Sequence, residues 1–542
     1  MNRPVRHIAT SMPRFMVVLV ASIAAMGIAA AEPERAKLLV GIVVDGLESD
    51  YLDLLRDRFG EGGFRRLERE GVTIANTDFG MPMDAAAATA TLVTGAAPSL
   101  SGIAASTHYD REALRPTEIF TDPSVLGNFT SATLSPAALR LSTLSDEARI
   151  ADGGVNLVYA IGVDPSQVIP LGGHAANASI WLDNTTANWA SSTFYQELPV
   201  AITTRNRSMR LDTRMDTMSW TPTLSPADYP ALPEHLRRYP FRYVFPKANP
   251  KRMEMFKTSP LANREVSELA IDLLESLKIG QHDGVTDVLN IAYSIEPYTF
   301  SKSPDTRLEL MDSYIKLDRN LEQLFNAIDA GVGLNNTVVY LAATPPNGRS
   351  KRDDERWNIP YGEFSTRRAV SLLNVYLIAK FGNGDYISAY HNRQFFLNRQ
   401  LLSNLNLDVE TVSEEAAAFL SRMTGVDRAY TLGQIVAGHA GERAEVLRRN
   451  TYIPNAGDIT IEVAPGFEII DDYSAALPAQ PSSMVERATA ATAPVFILAP
   501  GLAPAVIGTP QDARVIAPTV ARILRIRSPN GASLAPLILQ RK

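Results

Sequence analysis

The chain has 542 residues, of which 45% are hydrophobic and 20% are charged, so it can form one large core or two moderate ones. Its formal net charge of −7 argues against a nucleic-acid partner, because such partners select a basic surface. The absence of cysteine excludes disulfides, thiolate nucleophiles and zinc sites built on cysteine.

The N-terminal segment has the layout of a secretory signal peptide. Arg3, Arg6 and Arg14 come before an apolar run over 15–31, which ends in three alanines. This pattern predicts cleavage after residue 31 and a periplasmic or secreted domain over 32–542. An uncleaved anchor is the alternative, although the run is short for a hydrocarbon core of about 30 Å. No other stretch is long and apolar enough to span, so no membrane span is expected after cleavage.

The next elements alternate between apolar runs and helical stretches. The run over 38–44 ends at Asp45 and indicates a strand that is buried on both faces. A polar helical stretch with a glycine-marked turn follows over 50–70, and Asp84 then stands where a helix N-cap is expected. From about 107 to 280 the periodicity is weak, and this stretch is predicted to be an inserted cap region of short strands and loops.

Regular alternation returns after residue 280. Strands are predicted over 288–291, 337–341, 372–379 and 495–498, and helices over 306–328 and 512–526. Strands that alternate with helices indicate a mainly parallel sheet covered on both faces. The predicted fold is therefore α/β, a three-layer sandwich with a mainly parallel mixed sheet and an inserted cap region.

A series of short motifs runs along most of the chain. They include the segments 43–46, 57–64, 94–99, 173–176, 192–195, 312–318, 457–459, 516–519 and 529–532. In this order they resemble the periplasmic alkaline phosphatases of the type I phosphodiesterase/nucleotide pyrophosphatase group, which belongs to the alkaline phosphatase superfamily. The resemblance implies an alkaline phosphatase-like fold.

Active members of that group use two zinc ions, which hold a Thr or Ser nucleophile between them and require six Asp or His ligands. The resemblance places Asp45 at the first ligand position. It places Ala85 at the position of the nucleophile, so a methyl group replaces the hydroxyl. An Asp-x-x-x-His pair of ligands corresponds to Glu296 and Phe300, and only the carboxylate is kept.

The other site positions of the family are also altered here. An Asp-His pair of ligands corresponds to Thr344 and Pro345, and the last histidine falls on Thr492 or is absent. The residues that would grip phosphate are replaced as well, at Ser106, Val163 and Pro165. In the family pattern the two remaining carboxylates would each face a different metal alone. One carboxylate cannot retain zinc, because stable sites need three or four ligands.

The sequence therefore predicts neither a catalytic residue nor a bound zinc. Its leading functional hypothesis is an exported pseudophosphatase that binds an unidentified ligand or protein partner through a site with an apolar floor. One alternative is an active metal-dependent hydrolase of phosphomonoesters, phosphodiesters or sulfate esters that uses non-standard residues. A structural partner in envelope assembly is a third possibility.

Four further features have two interpretations each. Thr89 or Thr91 could replace the nucleophile, but a helix-surface threonine is the favoured interpretation because each lies more than a turn past position 85. His174 could be a ligand, although packing is favoured. The mixed-charge run over 349–356 could bind an anion or be a solvated loop. Asp45 could bind a ligand or cap the turn that follows its strand.

Overall fold

A ten-stranded sheet forms the centre of the computed structural model, which describes residues 35–237, 240–303, 305–345, 362–439, 441–473, 482–485 and 492–542. In chain order its strands are β1 (Leu38–Asp45), β2 (Val72–Ile74), β3 (Gly127–Asn128), β4 (Val158–Ile161), β5 (Ala178–Leu182), β6 (Trp189–Ser192), β7 (Asp287–Ser294), β8 (Thr337–Thr344), β9 (Val495–Leu498) and β10 (Ala505–Ile507). The predicted signal peptide lies outside the described residues.

The strands lie side by side in the order β10-β2-β9-β8-β1-β7-β4-β5-β6-β3. The five central strands, from β8 to β5, are mutually parallel. β9 is antiparallel to β8, and β6 is antiparallel to β5. The sheet is thus mixed and mainly parallel, which confirms the predicted fold class.

The centre of the sheet is β1, whose apolar side chains are buried on both faces. Its register places Asp45 opposite Ser294 of β7 and opposite Thr344 of β8. Because parallel strands end at the same edge of a sheet, these three residues meet there. Gly41 is required in the middle of β1, since a Cβ there would lie 2.3 Å from Oδ1 of Asn290.

Helices cover the two faces of the sheet, as expected for strands that are buried on both sides. They span Ser49–Leu55, Phe64–Glu70, Ala85–Thr94, Pro98–Ser101, Leu144–Ala151, Pro165–Gly172, Val200–Ser208, Leu211–Arg214, Glu234–Arg237, Arg252–Lys257, Pro260–Ser276, Arg307–Gly331 and Ile516–Leu524. Short pairs of strands join Thr77–Asp78 to Gln511–Asp512, Thr107–Asp110 to Arg115–Glu118, and Ser219–Trp220 to Tyr243–Val244.

The helix predicted over 306–328 is confirmed, and it extends to Gly331. The one predicted over 512–526 is shorter, because a 3-10 turn precedes the α-helix Ile516–Leu524. Pro518 lies in the first turn of that helix, where a missing N–H breaks no intrahelical hydrogen bond.

The strand predicted over 372–379 is wrong, because these residues lie in the helix Thr366–Phe381. The side chain of Ser365 caps its N-terminus by accepting a hydrogen bond from the backbone of Arg368. Ala369, Val370, Leu373 and Leu377 are its buried apolar residues. Their spacing is that of one helical face, which an apolar run of similar length does not distinguish from a buried strand.

The predicted inserted cap region does not match the observed sheet. Residues 107–280 supply four strands of the ten-stranded sheet, β3 to β6, so much of this stretch belongs to the α/β layer. A separate apolar core instead lies between residues 364 and 469.

That second core is built between two small sheets and two longer helices. One sheet consists of the strands Ile387–His391, Gln394–Leu397, Ile459–Val463 and Val426–Thr431. The other consists of the strands Gly362–Ser365, Phe467–Asp471 and Ser482–Val485. The helices of this part are Thr366–Phe381, Arg399–Asn404, Val409–Leu420, Leu432–Ala437 and Ala444–Asn450. The strands within 107–280 are short and have weak periodicity, which explains why the sequence patterns did not assign them to the main sheet. No helix among the described residues is long and apolar enough to cross a membrane.

Candidate functional site

Asp45 lies at the carboxyl edge of the sheet, where its neighbours in the register come from distant parts of the chain. Thr344, at the end of β8, donates a hydrogen bond from Oγ1 to Oδ1 of Asp45 at 2.5 Å. Thr344, which the resemblance places at a ligand position, is therefore a hydrogen-bond donor to Asp45. We call Asp45, Asp84, Glu296 and Thr344 the Asp45 site.

Glu296 follows β7 by two residues and lies within hydrogen-bonding reach of Asp45. Burial and then the charge of Glu296 raise the pKa of Asp45 well above its usual range. The outer surface of Glu296 is exposed, but partial desolvation of its carboxyl group still raises its pKa. Two carboxyl groups in contact resist double ionisation, so this pair tends to hold one proton between them.

The helix Ala85–Thr94 begins beside this pair. Asp84 caps it, as the sequence predicts: Oδ1 accepts a hydrogen bond from the N–H of Ala87 at 3.0 Å. Its Oδ2 accepts a second one from the N–H of Ser106 at 2.5 Å. A carboxylate of the chain itself thus occupies the helix N-terminus, the place where amides and dipole would otherwise attract an anion. Ala85 adds only a methyl group.

The three positions of the predicted phosphate clamp serve local structure. Ser106 donates its N–H to Asp84, and the side chain of Val163 is buried. Pro165 is the first residue of the helix Pro165–Gly172, where proline is favoured, and Asp164 caps that helix through the N–H of Ser166 at 2.8 Å.

One cation at this edge of the sheet was missed by sequence reasoning. Nζ of Lys257 donates hydrogen bonds to the carbonyl oxygens of Val163 at 2.8 Å and of Leu182 at 2.5 Å. Burial lowers the pKa of Lys257 to about 8, although Asp164 and Asp183 oppose that shift. Nothing in the local sequence of the short helix Arg252–Lys257 marks this lysine, because its partners are carbonyl groups at the ends of β4 and β5.

Phe300, at the position of a family histidine, belongs to an aromatic cluster. Its ring centroid lies 5.8 Å from that of Tyr298, and Tyr298 contacts Trp220 at 5.0 Å and Tyr243 at 4.5 Å. Oγ1 of Thr492 donates a hydrogen bond to Oδ1 of Asp50 at 3.3 Å. Pro345 offers no side-chain donor or acceptor. At positions that the resemblance assigns to ligands, Phe300 and Pro345 therefore bring no group that binds zinc.

The histidines in the described part of the chain do not form an alternative metal site. His174, His282 and His391 contact Asp146, Asp287 and Thr107, respectively. Within the described residues, no group of three or more His, Asp or Glu side chains is arranged to hold a metal ion. His7 and the side chain of His235 are outside the description. Two zinc ions with three or four ligands each do not fit the residues present.

His174 has the structural role that the sequence favoured. Nδ1 lies 3.1 Å from Oδ2 of Asp146, and Nε2 lies 2.9 Å from the carbonyl oxygen of Leu139. The hydrogen bond to Asp146 raises the pKa of His174. Burial acts to raise the pKa of Asp146, but hydrogen bonds from His174 and Thr143 lower it below the usual range. The charged pair therefore forms at mildly acidic pH.

We expect His174→Gln to destabilise the fold more at pH 6 than at pH 9. A raised imidazole pKa stabilises the native state fully below the unfolded pKa of about 6.5, and the contribution is lost as pH rises through the folded value. With 37% of the His174 side chain exposed, solvent screening limits the effect at pH 6 to about 0.5–1 kcal/mol. Urea unfolding at both pH values measures it, with the exposed His439→Gln as control. Equal losses at both pH values would contradict the charged pair.

Thr89 and Thr91, the two threonines considered as alternative nucleophiles, are both buried. Thr91 uses Oγ1 to donate a hydrogen bond to the carbonyl oxygen of Ala87 at 2.8 Å. Thr89 is completely buried, so the prediction of a helix-surface threonine is wrong, and its Oγ1 has no hydrogen-bond partner among the described residues. Because both threonines are buried, neither hydroxyl is open to a substrate. The mixed-charge run over 349–356 lies outside the described residues.

The predicted apolar floor is also wrong. Besides Asp45 and Glu296, Asp84 is close enough for its charge to raise the pKa of Asp45, and Asp164 acts in the same way on Glu296. Sequence patterns missed this because the four carboxyl groups come from four separate elements. The Asp45 site is acidic and offers one hydroxyl donor, Thr344.

By contrast, motif residues outside the site hold the fold together. Asp318 accepts hydrogen bonds from the N–H groups of Gly60 at 2.7 Å and Phe64 at 2.9 Å. A Cβ on Gly63 would lie 2.2 Å from Oδ1 of the same aspartate. Asp458 accepts from the N–H of Leu397 at 2.7 Å. These motif residues therefore have structural roles.

Comparisons with known proteins show the family to which the chain belongs. The family model of type I phosphodiesterase/nucleotide pyrophosphatase matches residues 39–488. A protein named calcium-transporting ATPase from Myroides odoratus is 27% identical over 93% of this chain and 94% of its own length. Alkaline phosphatase PafA from Elizabethkingia meningoseptica is 26% identical with the same coverage.

The crystal structure of wild-type PafA superposes with a TM-score of 0.81 at 24% identity, over 93% of this chain and 98% of that one. This likeness shows the fold. Together with the family model, which spans most of the chain, it settles the assignment. The chain belongs to the type I phosphodiesterase/nucleotide pyrophosphatase family, within the alkaline phosphatase superfamily.

Proposed function

We propose that this chain is an exported pseudophosphatase, a family member that lacks two-zinc phosphoryl transfer and binds a ligand or protein partner at the Asp45 site. One observation supports the proposal above the others. Asp45 and Glu296 are the two carboxylates at the ligand positions of the family pattern, and that pattern assigns them to different metals. Phe300, Thr344 and Pro345, at other ligand positions of the pattern, bring neither a carboxylate nor an imidazole, and one carboxylate alone cannot retain zinc.

The charge of the site indicates what it would accept. An anion would have to approach Asp84 and Asp164 and displace the internal contact of Asp84 with the helix N-terminus. Desolvating an anion without cationic or amide donors is unfavourable. A cationic ligand, or a neutral one with hydrogen-bonding groups, is therefore favoured over phosphate.

The metal content of the purified protein tests the proposal. We expect less than about 0.1 zinc ion per chain after dialysis, because each former metal keeps at most one carboxylate. Turnover of a generic phosphate monoester and diester should not exceed that of a protein-free control with zinc present. An active family member purified alongside shows that the preparation does not strip metal. One or two zinc ions per chain would overturn the proposal, and zinc-dependent turnover would support the hydrolase alternative.

Restoring the nucleophile alone is expected to have no effect. In Ala85→Thr the new hydroxyl would lie beside the Asp45 site, but its pKa would remain that of an ordinary alcohol without a metal. We expect ester turnover to stay at the background of the unmodified chain. Ala85→Ser and Ala85→Val serve as matched variants for hydroxyl and size. Zinc-dependent turnover by Ala85→Thr, absent from Ala85→Val, would show that a metal site has been overlooked.

A further inference from the structure

A cavity of about 770 Å³ opens beside the turn that follows β5, and none of its lining residues belongs to the Asp45 site. One wall is the turn over 184–188, and the others include the end of the helix Val200–Ser208 and the segment 247–253. Asp183 holds the turn in place, because its Oδ1 accepts hydrogen bonds from the N–H groups of Thr185 at 3.0 Å and Thr186 at 2.7 Å.

The lining of this cavity is basic. Its cations are Arg207, Arg210, Lys247 and Arg252, and Asp212 is its single carboxylate. Asp212 is already neutralised by two hydrogen bonds from Arg210, at 3.1 and 2.7 Å. Among the described residues, Arg207 and Lys247 have no acidic partner. Two positive charges thus face the cavity without compensation from the protein.

Arg252 adds a buried donor. Its residue is only 8% exposed, and Nη2 donates a hydrogen bond to Oδ1 of Asp216 at 2.5 Å. Its Nε–H has no partner within the described residues. Arg252 also lines the cavity, and its guanidinium adds a positive charge to this wall.

Part of the lining is apolar, beside the polar residues of the turn over 184–188 and Asn206. Phe129, Met215, Pro250 and Met253 line the cavity together with the cations. The volume far exceeds that of a single inorganic anion and lies in the range of sites for small organic ligands. Methionine and aromatic side chains provide a surface for an apolar group of the ligand.

We infer that this cavity binds a small organic dianion, such as a phosphate monoester or a dicarboxylate, with an apolar group. Arg207 and Lys247 balance its two charges, and the guanidinium of Arg252 donates to one of its oxygens. The apolar group packs against Phe129 and Met253. This site is separate from the Asp45 site and does not depend on any catalytic activity.

Calorimetric titration of the full chain with phenyl phosphate and with phthalate tests the inference. Benzyl alcohol serves as a neutral ligand of similar size. We expect saturable binding of at least one dianion and none of benzyl alcohol. Which dianion binds distinguishes a phosphate ester from a dicarboxylate as the ligand type. In Arg207→Ala/Lys247→Ala the affinity should fall about tenfold or more, because charge-assisted hydrogen bonds are lost.

Lys251→Ala is the matched control, since it removes an exposed positive charge next to the cavity without removing a lining residue. It should bind the dianion as the unmodified chain does. Thermal unfolding verifies that the double variant is folded, which its two exposed positions favour. The inference is overturned if both dianions have dissociation constants above about 10 mM, which corresponds to a binding free energy weaker than about −3 kcal/mol. Equal affinity in the double variant, or similar binding of benzyl alcohol, would also overturn it.

Discussion

Replacing Asp312 by alanine is expected to lower the free energy of unfolding by about 4 kcal/mol, since it leaves several buried donors without an acceptor. Asp312 is fully buried in the helix Arg307–Gly331. Its carboxylate accepts hydrogen bonds from Nε1 of Trp220 at 2.6 Å, the N–H of Thr223 at 2.6 Å and the hydroxyl of Tyr229 at 2.7 Å. These hydrogen bonds hold the segment 219–229 against the helix Arg307–Gly331.

Urea unfolding followed by circular dichroism measures the loss. Asp312→Asn keeps one acceptor oxygen, so its loss should be clearly smaller than that of the alanine variant. Asp283→Ala removes an exposed carboxylate and should change the free energy of unfolding by no more than about 0.5 kcal/mol. A loss below about 1 kcal/mol in Asp312→Ala would mean that water or other groups satisfy the three donors.

Glu265→Ala is expected to cost about 3 kcal/mol, because it removes the centre of a buried ion cluster. Glu265 is fully buried, and one of its oxygens accepts hydrogen bonds from Arg205 at 3.0 Å and from Arg214 at 2.9 Å. Arg205 is itself only 5% exposed and would remain in the interior with less compensation. The buried guanidinium of Arg205 would keep only its half-exposed partners, Glu268 at 3.0 Å and Asp272 at 2.6 Å, which is the origin of the large effect.

Glu268→Ala provides a sharp comparison, because Glu268 contacts the same arginine at 3.0 Å but its side chain is 41% exposed. Its loss should stay below about 1 kcal/mol, as for other exposed ion pairs. Chemical denaturation of both variants in the same buffer gives the difference. Similar losses would show that burial does not govern this cluster. Since Arg205 lies in the helix that carries Arg207, dianion binding is best measured on variants with Glu265 intact.

Much of the fold could be predicted from the sequence, because the relevant signals are local. The apolar run that became β1 is buried on both faces, and Asp84 caps the helix that follows it in the predicted place. The stripe of apolar residues over 306–328 marks a helix wherever it packs. The strand predicted over 372–379 is a helix in the structure, because a buried helix and a buried strand have similar composition over so short a length.

The sequence by itself determined which side chains stand at the positions that the family resemblance assigns to the chemistry. Ala85, Phe300 and Thr344 bring a methyl group, a ring and a hydroxyl to those positions in any arrangement of the chain. It also determined the apolar runs from which the central strands are built. These properties follow from residue identity and short-range spacing.

Only the tertiary structure decided what the altered site became. Asp45, Asp84, Glu296 and Thr344 follow or precede four different elements, and the parallel register of the sheet brings them together. The same packing places Lys257 on two strand-end carbonyl groups and gathers Arg207, Lys247 and Arg252 around one cavity. Electrostatic and hydrogen-bonding energies depend on distances between atoms far apart in the chain, and those distances are set only when the strands pair and the helices pack.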